Sequence, residues 1–84
     1  MSNYRIGKLY RSEEAARVPV FTKYNDLLNH MFGLYEGNVD KVYVGLFMII
    51  DQRKDRLTGT QLHILSEEKI YWIDDLYPGW CIEL

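Results

Sequence analysis

Cysteine is almost missing from this chain of 84 residues: Cys81 stands alone, so no internal disulfide can form. A reducing compartment is the expectation that follows. Long apolar runs are missing too. The longest uncharged apolar stretch, 42–50, is nine residues, against the roughly 20 needed to span a bilayer as a helix. The opening MSNYRIGKLYRSEE holds no apolar core of the kind a secretory signal needs. These absences predict a soluble, cytoplasmic protein without a membrane partner. Histidine is scarce as well. His30 and His63 lie far apart in sequence, and with one cysteine they do not make up the three or four ligands of a zinc site. No glycine spacing resembles a phosphate-binding loop. No metal or cofactor is expected.

An excess of positive charge is also lacking. Lys and Arg number 10 against 12 for Asp and Glu, a net charge of −2. Nucleic-acid binding rests largely on phosphate contacts from a basic patch. The two candidate patches, Arg53-Lys54-Arg56 and Arg5-Lys8-Arg11, are interrupted by Asp55 or followed by Glu13 and Glu14. The balance argues against a nucleic-acid partner. Catalytic signals are equally thin. Cys81 sits among apolar residues, where a free thiol is ordinarily a small buried hydrophobe. Asp74 and Asp75 are adjacent, so in one 3₁₀ turn their side chains would diverge by about 120°. Glu67 and Glu68 read as a solvated hairpin tip. The chain is not expected to be an enzyme.

Aromatics are what the chain has in quantity: two Trp, seven Tyr and three Phe. A domain this short buries only about 60% of the surface its unfolded chain exposes. Rings of about 150–250 Å² each offset that shortage. The clearest structural signal is 60–73, TQLHILSEEKIYWI, two β-prone runs around a charged break, which predicts a hairpin. Within it Ile70 and Trp72 are expected to face the core and Tyr71 to face outward. The run 42–51 is apolar on both faces and reads as a central or helix-covered strand. The polar stretch 52–59 reads as a surface loop. Upstream, 4–10 reads as a strand with a bulge at Gly7, and 18–22 as an edge strand because Pro19 has no N–H to donate. One helix is expected over about 25–35. Leu27, Leu28, Met31, Phe32 and Tyr35 form its apolar stripe, Asn25 or Asp26 its cap, and Gly37-Asn38 its stop. Asp74-Asp75-Leu76 suits a single 3₁₀ turn capped by Asp74. Tyr77-Pro78-Gly79-Trp80 suits a type II turn before a closing strand.

The order strand, polar loop, strand, tight hairpin, strand with Trp72, short turn and closing strand resembles the small SH3-like β-barrels. The phrases Leu62-His63-Ile64-Leu65-Ser66 and Lys69-Ile70-Tyr71-Trp72-Ile73 are similar to the tail of small SH3-like proteins encoded by tailed bacteriophages. The likeness covers mainly 42–84. The Ala-Leu-Tyr-Asp-Tyr opening of signalling SH3 domains is absent. Asp74 also stands where those domains carry a proline, which argues against proline-rich ligands. Residues and resemblance together predict one α+β domain, mainly β: a partly open barrel of about five antiparallel strands with one helix packed on it.

The expected function is a non-enzymatic protein–protein interaction module. On the resemblance it is a small phage accessory protein that binds and modulates a host protein in the host cytoplasm. The alternatives are a structural subunit of an assembly such as a virion, and a nucleic-acid-binding module using Arg53, Lys54 and Arg56. Aromatics are enriched where interfaces are tightest. The expected partner surface is therefore Tyr71, Asp74, Asp75, Tyr77 and Trp80.

Overall fold

The computed structural model describes residues 4–14, 17–76 and 79–84. Among them lie β1 (Leu9–Ser12), β2 (Arg17–Val20), α1 (Tyr24–Met31), β3 (Asp40–Tyr43), β4 (Leu46–Asp55), β5 (Gly59–Ser66), β6 (Lys69–Asp74) and β7 (Cys81–Glu83). Five strands form one antiparallel sheet in the order β6-β5-β4-β1-β7, and β2 pairs with β3 in a separate ribbon. The fold is the mainly β, α+β arrangement expected, with one helix and a sheet that does not close. Each strand of the long hairpin meets its neighbour in sequence, so the sheet assembles from short connections.

The ribbon joins the sheet at one point. Phe21 and Trp72 exchange both backbone bonds, at 3.1 and 2.6 Å. The next hydrogen-bonded pair of such a ladder would be Pro19 with Asp74. Pro19 has no N–H, so the ladder stops there. The edge role expected of Pro19 is thus met on the side facing β6.

Tyr10, Val18, Val20, Val44, Phe47, Ile49, Leu62, Ile64 and Ile73 form the main core on the inner face of the sheet. A second cluster lies on the outer face, where Phe21, Leu27 and Trp72 are buried with Tyr24, Met31, Tyr35 and Val39 packed around them. The helix is therefore a cover for the outer face, not a plug for the inner one.

Several boundaries move, each for a local reason. The single strand expected over 42–51 is broken at Val44-Gly45 into β3 and β4. The loop expected over 52–59 is mostly strand. β4 runs on to Asp55, whose carboxylate accepts the Leu57 and Thr58 amides at 2.8 and 3.2 Å and closes a tight turn. Residues 5–8 are a turn with Gly7 at φ +84°, so the first strand begins only at Leu9. α1 ends earlier than expected. Leu34 N–H donates to Asn29 O and Gly33 N–H to His30 O, with Gly33 at φ +75°. That is a Schellman end with glycine at C′, four residues before Gly37. Its start has Lys23 at the cap and no side-chain capping bond, so neither Asn25 nor Asp26 serves.

Candidate interaction surface

Directly opposed residues of an antiparallel sheet share a face. On the outer face the register therefore builds a continuous row. Ile70 opposes Leu65, Leu65 opposes Met48, and Met48 opposes Leu9. Leu84 N–H bonds Leu9 O at 2.9 Å and carries the row onto the last strand. Leu46 and Ile82 flank it, on either side of Arg11. Strands lie about 4.8 Å apart, so a row across five of them spans about 19 Å. Leu46, Leu65, Ile70, Ile82 and Leu84 are 37–58% exposed. Scattered exposed leucines are ordinary, but a contiguous patch on the order of 500 Å² is the size at which a monomer's largest patch tends to be functional.

The other half of the same face is closed. Trp72 is only 6% exposed. His63 opposes it in register and stacks on it at 4.2 Å with 3° between the planes. Tyr24 of α1 meets the indole edge-on at 4.8 Å. The Arg53 guanidinium lies 4.6 Å from the Tyr24 ring centre and 5.2 Å from that of Trp72. Gln61 is fully buried. It accepts the Tyr24 hydroxyl at 3.0 Å and donates to Thr58 O and Oγ1, both at 3.0 Å. One amide thereby ties α1 to the β4–β5 turn. Burial pushes the His63 imidazole down, with the Arg53 charge acting the same way and Asp51 opposing.

Beyond Trp72 on this face lies Asp74. It is 9% exposed and lines a cavity of about 260 Å³ with Pro19, Leu27, His30 and Met31. Its Oδ1 accepts the Leu76 amide at 3.5 Å, a long bond. The turn role expected of Asp74 is present, although the residue itself ends β6.

Of the five residues expected to form the partner surface, the four described ones are not brought onto one exposed patch. Tyr71 lies on the inner face, half-buried against the main core, while Asp74 lies on the outer face. Asp75 is half-buried, and Trp80 is 73% exposed. Tyr77 lies outside the described residues, as does Pro78, so the expected type II turn is described only from Gly79. The Asp74 and Asp75 side chains do not diverge. Burial pushes the Asp75 carboxyl up, and the Asp74 charge and a hydrogen bond with Asp74 act in the same direction.

The expected facing within the hairpin is also reversed at two of three positions. Ile70 is exposed and Tyr71 is packed inward. Trp72 is buried, but beneath α1. The apolar row itself was missed. Its members read separately as strand residues, and the signal available was the apolar character of Met48 and Leu65 on the faces opposite Ile49 and Ile64.

Cys81 is half-buried, and burial pushes its thiol up, away from the thiolate a nucleophile needs. Among the described residues no three His, Cys, Asp or Glu side chains gather as a metal site, and no helix is long and apolar enough to cross a membrane. Of the basic group Arg53-Lys54-Arg56, Arg53 is engaged with Tyr24 and Trp72. No family model matches the chain, and the curated proteins and solved structures likewise give no match.

Proposed function

We propose that this protein is a non-enzymatic protein–protein interaction module whose contact surface is the open half of the outer sheet face. The observation that supports this reading is the apolar row Ile70–Leu65–Met48–Leu9, which crosses β6, β5, β4 and β1 and reaches Leu84 just after β7. Among the described residues no helix covers it, although α1 covers Trp72 on the same face, and Ile70, Leu65 and Leu84 are exposed. On the resemblance of 42–84 to small SH3-like proteins of tailed bacteriophages, we take the partner to be a host protein met in the host cytoplasm.

The test compares wild type with a Leu65→Ser, Ile70→Ser variant in affinity capture from bacterial lysate, followed by measurement of the captured protein's affinity in purified form. Binding weakened at least tenfold in the variant supports the reading. Proteins held equally by both forms overturn it. Light scattering on the purified chain separates the structural-subunit reading. A large discrete oligomer that the same substitutions dissolve would assign the row to self-assembly instead.

A further inference from the structure

The cavity at the far end of β6 has three properties that together specify an occupant. Part of its wall is apolar: Pro19 from β2, and Leu27 and Met31 from α1. One end carries Asp74, 9% exposed, whose carboxylate accepts the Leu76 amide and forms no ion pair with another described residue. The ion pairs found among the described residues are Arg5–Glu83 and Arg11–Glu13, and the nearby Arg53 is turned onto Tyr24 and Trp72. A buried carboxylate without a counter-ion is held at a cost that a partner's cation would remove. His30 completes the lining, its ring 5.2 Å from that of Phe21, and an imidazole nitrogen can offer a further acceptor. The cavity lies where the Phe21–Trp72 pairing does not continue, at Pro19, which has no N–H to donate. At about 260 Å³ it falls just below the roughly 300–1,000 Å³ of sites for drug-sized molecules. It suits one long side chain.

We propose that this cavity receives the cationic side chain, lysine or arginine, of a protein partner, with Asp74 as its counter-ion. The alkyl stem lies along Pro19, Leu27 and Met31, as such stems do on apolar walls while their charged heads find polar groups. Asp74 and Ile70 share the outer face of β6. A partner lying along this strand would reach the apolar row at one end and the cavity at the other. The inference rests on the protein-interaction reading but uses different residues, so each can fail alone.

The test titrates the full chain with N-acetyl-arginine methylamide and N-acetyl-lysine methylamide. The Met31 and Leu27 methyl signals are followed by NMR. N-acetyl-norleucine methylamide serves as the uncharged control, and free arginine represents a small-molecule source. The expected result is saturable movement of both methyl signals with at least one blocked cationic probe, at least tenfold weaker with norleucine and at least tenfold weaker in Asp74→Asn. If Asp74→Asn does not fold, the norleucine comparison on wild type carries the test. Equal binding of norleucine overturns the counter-ion role. Binding of free arginine but of neither blocked probe overturns the partner side chain in favour of a free small molecule. No movement with any probe overturns the site. In none of these cases is the Leu65/Ile70 test affected.

Discussion

One half of the outer sheet face lies beneath a helix, and the other half lies open. In the closed half Trp72, His63 and Gln61 are sandwiched by Tyr24, Leu27 and Met31, and each buried polar atom of Gln61 has a partner. In the open half Ile70, Leu65, Met48, Leu9 and Leu84 make an equally continuous row, exposed at Ile70, Leu65 and Leu84 and half-buried at Met48 and Leu9. The two halves are chemically distinct as well as differently covered. The closed half mixes rings with an amide, an imidazole and a guanidinium, whereas the open row holds only leucine, isoleucine and methionine side chains. A buried polar group constrains its neighbours, because leaving it unpaired costs about 1–3 kcal/mol. The closed half therefore fixes one position for α1. The open row imposes no such directional demand and accepts a partner that is chosen by shape.

The contrast is broken most severely at Trp72. Trp72→Ala is expected to cost about 3–5 kcal/mol, by loss of transfer energy and by the cavity left under α1. For a domain with a small margin this means loss of most of the folded population, read by urea denaturation. Ile70→Ala, two residues away on the same face, is expected to cost under about 1 kcal/mol. Similar losses at the two sites would show that the open half is as much a core as the closed one.

A smaller effect is expected from Gln61→Leu, which keeps the volume but removes the bonds to Tyr24 and Thr58. A loss of about 2 kcal/mol is expected, together with faster amide exchange in α1. Unchanged α1 protection would sink the idea that Gln61 holds the helix in place.

The mildest change is a pH dependence confined to the closed half. The folded state holds the His63 imidazole below its ordinary value, chiefly by burial. The unfolded chain then binds the proton more readily, so stability is fully present above about pH 6.5 and falls as pH drops below that. His63→Gln is expected to flatten the acid side of the stability profile in that window. An unchanged profile would place the dependence elsewhere.

Much of the architecture was readable from local chemistry. The hairpin around Glu67-Glu68 needed only two β-prone runs and a charged break, and it forms with Ser66 opposing Lys69. The helix was readable from Leu27, Leu28 and Met31, but its end was not. The stop expected at Gly37-Asn38 comes four residues too late, because Gly33 takes the left-handed conformation that terminates the helix. The facing of residues was less accessible. Between Ile49 and Asp51 the register with β5 shifts, so strict alternation along 42–51 could not be carried into 51–55. Past the bulge Asp51 and Arg53 share the outer face with His63 and Gln61. The candidate site was legible only in part. Asp74 and Trp80 stand together in the aromatic and acidic cluster of the sequence, but one is buried in a cavity wall and the other is exposed.

The sequence by itself determined the elements, their order and the antiparallel pairing of near neighbours, because strand propensity, turn chemistry and short connections act over a few residues. Only the tertiary structure decided what each face meets. Trp72 and Ile70 have the same local credentials for burial, yet α1, from elsewhere in the chain, covers one and leaves the other open. The row from Ile70 to Leu84 exists because register aligns residues 9, 48, 65, 70 and 84. Beyond the local Leu65–Ile70 hairpin pair, that alignment comes from hydrogen bonding between strands distant in sequence, and no local pattern encodes it.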